Sequence, residues 1–191
     1  IKQGDELIPR DAMALKEAAN YPGALSEVCP YRFEPSISPV RAALLANKIL
    51  TIEQLVSTCL NGSEKGFVLV EGAGGFYSPL AENGLNADLA AALQLPVLLV
   101  ADDKLGVINQ VLLNVEAIKV RGLHLAGVIL NTPGDTQNEH MDNSADLREI
   151  LDCPIFTSPY ANRNDVSLAE ALIDTLIISS HTKNNTVSAT R

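Results

Sequence analysis

Residues 67–75 read Phe-Val-Leu-Val-Glu-Gly-Ala-Gly-Gly. Four consecutive apolar residues with no polar alternation suit a strand covered on both faces, the condition of a parallel sheet sandwiched by helices. Such a strand delivers Glu71 to its carboxyl end, where three glycines in four positions follow at once. Glycine lets the backbone take a positive φ and approach a ligand closely. Successive bare amides form a concavity for anionic oxygens. A carboxylate at the same edge can hold a hard cation such as magnesium, together with phosphate oxygens and water. Taken alone, the stretch also fits a tight strand-to-loop turn with a solvated glutamate.

Outward from this stretch, strand and helix signals alternate. Residues 96–101 (Pro-Val-Leu-Leu-Val-Ala) and 125–130 are further apolar runs, and 154–157 is a weaker one. Asp11 stands where it could cap a short helix, and Ser38 takes the N-cap position before Pro39. Thr51 and Glu53 open a helix that ends near Asn61-Gly62. Crossover helices are expected over 86–94 and 107–121, the second stopped by Gly122, with two more near 141–151 and 167–177. This alternation predicts an α/β fold, a doubly wound and mostly parallel sheet with helices on both faces. Residues 1–178 read as a single domain. From 179 to 191 the chain reads as a disordered tail, polar and without periodicity from His181. In such sheets ligands sit beyond the carboxyl ends of the strands, so the loops after 71, 101, 131 and 158 are the ones to inspect.

Composition narrows the function classes. The chain has 191 residues, 47% hydrophobic and 19% charged, with a net charge of −9. That sign disfavours nucleic acid, whose binding rests on lysines and arginines neutralising phosphates. A local phosphate site remains open, because backbone amides bind anions without net positive charge. No apolar run reaches the roughly 18 residues of a membrane span, so no membrane partner is expected. Cys29, Cys59 and Cys153 are odd in number and show no Cys-x-x-Cys spacing. Buried free thiols in a reducing cytoplasm are expected, rather than zinc ligation or disulfides.

Several separated motifs, in order, resemble the dethiobiotin synthetases. Val70-Glu71-Gly72-Ala73-Gly74-Gly75, followed by Phe76 and by Pro79-Leu80, is similar to the end of their Walker-B-like strand. Asn86-Ala87-Asp88-Leu89 resembles their alanine-aspartate helix start, and Gln94-Leu95-Pro96-Val97 the entry to the next strand. Lys104-Leu105-Gly106-Val107-Ile108-Asn109 resembles their lysine-leucine-glycine loop. Gly122 to Val128 leads to Asn131 as in the family. Upstream, Asp11-Ala12-Met13-Ala14-Leu15 and Pro30-Tyr31-Arg32-Phe33, with Ser38-Pro39, look like family segments. The spacing is kept from about residue 1 to residue 160.

The resemblance implies a P-loop-NTPase-like fold and an ATP- and magnesium-dependent cyclo-ligase of biotin biosynthesis. It would close the ureido ring of dethiobiotin from 7,8-diaminononanoate, CO2 and ATP, by way of a carbamate and a carbamic–phosphoric anhydride, in the cytoplasm and as a homodimer. Asp11 and Glu71 match the family's magnesium and nucleotide-phosphate carboxylates. Gly72, Ala73 and Gly74 match its nucleotide loop, and Asn131 its adenine-reading asparagine. Pro159, Tyr160 and Ala161 match a second loop beside the adenine. Gln3 and Gly75 fall at substrate positions, and Asn109 matches a segment reaching the diamine carboxylate across the dimer interface.

One family motif is missing. No Gly-x-x-x-x-Gly-Lys-Thr run, the phosphate-cradling P-loop, occurs in these residues. The first strand and the catalytic lysines are therefore expected in residues before Ile1, and the chain as it stands is expected to be unable to complete the reaction. The alternatives are a degenerate paralogue that binds ligand or dimerises without turnover, and another ATPase of the same superfamily. Asp102-Asp103 before Lys104, and Asn143 where the family can have a substrate-facing tyrosine, are departures that keep the first alternative open.

Overall fold

The computed structural model describes residues 2–3, 6–61, 67–132, 134, 140–159 and 166–186, with backbone only at 2, 3, 6, 166 and 178–186. The sequence reads as one domain over 1–178, whereas the chain falls into two compact units, Ile1–Ala92 and Leu93–Arg191.

The second unit carries the parallel sheet. Strands β5 (Val97–Asp102), β6 (Leu125–Asn131) and β7 (Ile155–Ser158) lie in that order, all parallel. Helix α6 (Val107–Val120) connects β5 to β6, α7 (Asn143–Ile150) connects β6 to β7, and α8 (Val166–Thr186) follows. The predicted helix-flanked α/β pattern is what forms here. The core is made by Val107 and Val111 of α6, Val128 and Leu130 of β6, Leu147 of α7 and Ile155 of β7. Burying each such side chain contributes about 1.5–3 kcal/mol. β6 is the central strand, and a side chain at Gly127 would meet the Pro154 carbonyl at 3.0 Å and the Phe156 ring at 3.2 Å. Gly122, at φ +65°, ends the α6 segment as expected. Arg148 of α7 donates to the Ile155 carbonyl at 3.0 Å, tying that helix to the start of β7.

The first unit is built from smaller pieces. Strands β1 (Lys2–Gln3) and β2 (Glu6–Leu7) pair antiparallel. Helices α1 (Arg10–Ala18), α2 (Leu25–Val28), α3 (Pro39–Leu45) and α4 (Ile52–Leu60) follow. The hairpin of β3 (Pro79–Ala81) and β4 (Gly84–Leu85) then leads into α5 (Asn86–Leu93). Helix α4 starts with a full capping box between Thr51 and Gln54. Asn83 of the hairpin turn accepts from the Ile52 N–H at 2.9 Å and donates to the Glu53 carboxylate, which anchors β3–β4 to that helix start.

Several expectations are corrected. Residues 67–71 join no ladder among the described residues, and Phe67 and Leu69 are 65% and 67% exposed. An apolar run becomes a strand only where neighbours take up its N–H and C=O groups. Asp11 does not cap α1: Pro9 is the N-cap, and Asp11 lies inside the first turn, where a carboxylate still suits the helix dipole. Ser38 is the N-cap of α3 but makes no side-chain capping bond. The tail expected to be disordered from 179 is helical through Thr186, because α8 is already nucleated by its earlier turns and each added residue extends it at small cost. The cysteines are half-buried rather than fully buried. Burial is the largest influence on all three thiols and pushes each up, which makes them weak nucleophiles. No helix among the described residues is long and apolar enough to cross a membrane.

Candidate functional site

The Gly72–Ser78 loop is closed by side chains at its far end. Asn86 opens α5 and is 8% exposed. Its Oδ1 accepts from the Ala73 N–H at 3.1 Å. Its Nδ2 donates to the carbonyls of Ala73 (2.9 Å), Gly75 (3.0 Å) and Ser78 (3.3 Å). Ser78 Oγ accepts from the Gly75 N–H at 2.9 Å, and the Ser78 N–H returns a bond to the Gly75 carbonyl at 2.9 Å. Gly74 sits at φ +83°, where a side chain would be strained.

The expected concavity of successive bare amides is thus modified. The Ala73 and Gly75 amides are turned inward and bonded, while those of Gly72 and Gly74 have no partner among the described residues. A backbone polar group left unpaired at an exposed loop is available to water or to a ligand oxygen. The loop backbone is exposed from Gly72 to Gly75, as is Glu71 just before it.

Glu71 and Asp11 both lie in the first unit, and both are exposed. Neither carboxylate has a hydrogen bond or ion pair among the described residues. Magnesium takes one or two carboxylates and fills its remaining positions with water and phosphate oxygens, so this donor chemistry fits that ion. Among the described residues no group of three or more His, Cys, Asp or Glu side chains could hold a metal. Asp11 is also near enough to Cys29 to add to the rise of its thiol, while Arg32 opposes it. Gln3 lies in β1, whose side chains are not described.

In the second unit, the carboxyl edge of the sheet lines up Asp102, Asn131 and Ser158 in register. Asn131 is exposed at the end of β6, where it was expected. The Asp103 N–H donates to the Asn131 carbonyl at 2.8 Å, and the Thr132 N–H to the Ser158 carbonyl at 2.9 Å, so this edge is held from both sides. Asn143, buried at the start of α7, donates to Asp103 Oδ1 at 2.7 Å. Lys104 pairs with Asp102 at 3.1 Å, with both side chains about half exposed. Asn109 is exposed in the first turn of α6, and Pro159 is exposed just after β7. Tyr160 and Ala161 lie outside the described residues.

Two residues escaped the sequence reading as parts of the loop: Ser78, and Asn86, which was read only as a helix start. The one signal that could have found them is a polar pair flanking a short hairpin straight after a glycine-rich turn.

A family model described as an AAA domain matches residues 1–159. The ATP-dependent dethiobiotin synthetase BioD of Vesicomyosocius okutanii is 33% identical over 173 residues, 91% of this chain and 76% of the relative. Its namesake from Ruthia magnifica is 36% identical over 149 residues, 78% of this chain and 67% of the relative. A third, from Ralstonia nicotianae, is 37% identical over 166 residues, 86% and 72% of the two chains. Across the relatives of that name, the chain spans 57% to 76% of their length.

Proposed function

The chain belongs to the ATP-dependent dethiobiotin synthetase family, and on that premise we propose that its full-length protein closes the ureido ring of dethiobiotin. The substrates are 7,8-diaminononanoate, CO2 and ATP. The observation that carries this reading is the match to dethiobiotin synthetases over as much as 91% of the chain.

One amine of the diamine adds to CO2 and loses a proton, giving a carbamate. A carbamate oxygen attacks the γ-phosphorus of ATP, ADP leaves, and a carbamic–phosphoric anhydride remains. The second amine attacks the carbonyl carbon, expels inorganic phosphate and closes the cyclic urea. The protein's share is positioning and charge neutralisation, as in phosphoryl transfer generally. Asp11 and Glu71 would hold Mg2+, which neutralises charge on the β- and γ-phosphates. The Gly72 and Gly74 amides donate to phosphoryl or carbamate oxygens, while Ala73 and Gly75 contribute shape, since their own amides are bonded inward. Asn131 reads the adenine edge, to which an amide can donate and accept together. Pro159, Tyr160 and Ala161 flank the base, and Gln3 borders the diamine.

Asn109 reaches the diamine carboxylate of a neighbouring subunit in a homodimer. Support for that assembly comes from α6, on which Asn109, Leu113 and Val120 are all exposed, with Leu105 just before the helix. A cytoplasmic setting is part of the same reading, supported by the need for ATP as co-substrate.

The test is Glu71→Gln in the full-length protein, with turnover followed as dethiobiotin formed. Losing the carboxylate is expected to lower turnover by about a hundredfold or more, the scale set by loss of one electrostatic contact to the transition state. Near-normal turnover would reject the metal role. A wild-type protein that binds ATP but forms no dethiobiotin would favour a non-catalytic paralogue.

A further inference from the structure

We infer that Asn86 is the positioning residue of the Gly72–Gly75 loop, its buried carboxamide holding the Ala73 amide inward and, through the Gly75 and Ser78 carbonyls, fixing the turn in which Ser78 takes the Gly75 amide. This rests on the reading of that loop as the one that meets nucleotide and substrate oxygens.

The carboxamide has one orientation that satisfies its surroundings. A backbone N–H (Ala73) faces one side, and three carbonyls (Ala73, Gly75, Ser78) face the other. Only Oδ1 toward the first and Nδ2 toward the others answers all four, with the NH2 protons shared among the carbonyls. The backbone adds to this hold. The Asn86 N–H donates to the Ser78 carbonyl at 3.1 Å and the Ala87 N–H to the Phe76 carbonyl at 2.9 Å. The start of α5 therefore grips the loop at Ala73, Gly75, Phe76 and Ser78.

Asn86 is not needed as a helix cap. The Asn86 and Ala87 N–H groups are taken by the Ser78 and Phe76 carbonyls, and Asp88, inside the first turn, reaches back to the Leu85 N–H at 2.7 Å. The absence of a side chain at Gly72 is explained from the same direction, since a Cβ there would lie 3.0 Å from Asn86 Oδ1. Glycine at 72 makes room for the anchor as well as for a ligand. With Ala73 and Gly75 committed, the loop amides without a partner among the described residues are those of Gly72 and Gly74. Donors fixed before the ligand arrives need no reorganisation when it binds.

The experiment uses the full-length protein, with Asn86→Ala and the isosteric Asn86→Asp. The aspartate keeps an acceptor for the Ala73 N–H but loses both donors, and it sets a negative charge against three carbonyls. Three quantities are read: amide hydrogen exchange at Ala73 and Gly75, ATP affinity by calorimetry in the presence of Mg2+, and KM for ATP against kcat. In wild type, the Ala73 and Gly75 amides exchange slowly despite their exposed loop. In Asn86→Ala both exchange faster, and ATP affinity weakens by about tenfold or more, the scale of one lost buried hydrogen bond. KM for ATP rises more than kcat falls. Asn86→Asp weakens ATP at least as much while Ala73 stays slow, and it carries the test should Asn86→Ala unfold.

A merely structural role predicts a lower melting temperature with ATP affinity and KM unchanged in the folded fraction, and that result overturns the inference. If both variants weaken ATP as expected but wild type makes no dethiobiotin, the ring-closing reading falls and the anchor stands. If wild type makes dethiobiotin and neither variant alters exchange or ATP affinity, the anchor falls and the reading stands.

Discussion

Phe67-Val68-Leu69-Val70 and Leu125-Ala126-Gly127-Val128-Ile129-Leu130 are apolar runs of the same kind, each leading to a polar residue, Glu71 in one and Asn131 in the other. In the second unit the run becomes β6, bonded to β5 on one side and β7 on the other, with Val128 and Leu130 fully buried. In the first unit the run joins no ladder among the described residues, and Leu69 is 67% exposed. The loops that follow are held in different ways. After Val70 the chain is gripped by the side chains of Asn86 and Ser78; at the end of β6 the next strand takes it up, through the Thr132 N–H and the Ser158 carbonyl. A hydrophobic run thus states what it needs, which is cover on both faces, and not whether the cover is there.

The strongest test of this contrast is a pair of truncations in this chain. Leu130→Ala is expected to cost about 2–5 kcal/mol, because it leaves a cavity in a closed core. Leu69→Ala is expected to stay within about 0.5 kcal/mol, as for exposed positions generally. Urea unfolding of both variants compares them directly. A cost at Leu69 matching that at Leu130 would break the comparison, since Leu69 would then be covered in solution.

A smaller effect sharpens the view of the loop after Val70. Gly74→Ala places a Cβ at φ +83° and 3.0 Å from Ser78 Oγ. It is expected to destabilise by about 1–2 kcal/mol, the cost of a left-handed residue with a side chain. A neutral outcome in thermal unfolding would mean that the loop relaxes easily and is not held as described.

The smallest effect belongs to the segment beyond β6. Asp142 caps α7, and its carboxyl is held below its ordinary value of 3.8, first by the Ala145 N–H and then by the Ser144 hydroxyl. Its contribution to stability is therefore full above the unfolded value and is lost as pH falls through the lower folded one. Asp142→Asn removes the titrating group and is expected to flatten that acid limb in urea midpoints measured against pH. An acid limb identical to wild type would show that the cap contributes nothing there.

Much of the fold could be read without coordinates. The three ladder strands fall within a residue of 96–101, 125–130 and 154–157, and α4, α5 and α6 lie close to their expected spans. The candidate residues were legible in kind: a carboxylate before a glycine-rich loop in the first unit, and an asparagine at a strand end in the second. They were not legible in detail. Asp11 lies inside the first turn behind Pro9, which takes the cap position, and a cap is settled by backbone angles rather than by the most suitable side chain. Asn86 lies 13 residues from the amide it accepts from, and no local period encodes that distance.

By itself the sequence determined the family, the parallel α/β unit and the chemistry present at the strand ends, because these depend on residue type and on short, repeated spacing. Tertiary structure alone decided that the 67–70 run joins no ladder among the described residues, and that the Ala73 and Gly75 amides are bonded by side chains while those of Gly72 and Gly74 have no partner among those residues. The physical reason is that backbone N–H and C=O groups taken out of water must find partners, and partners remote in the chain are supplied only once it has folded.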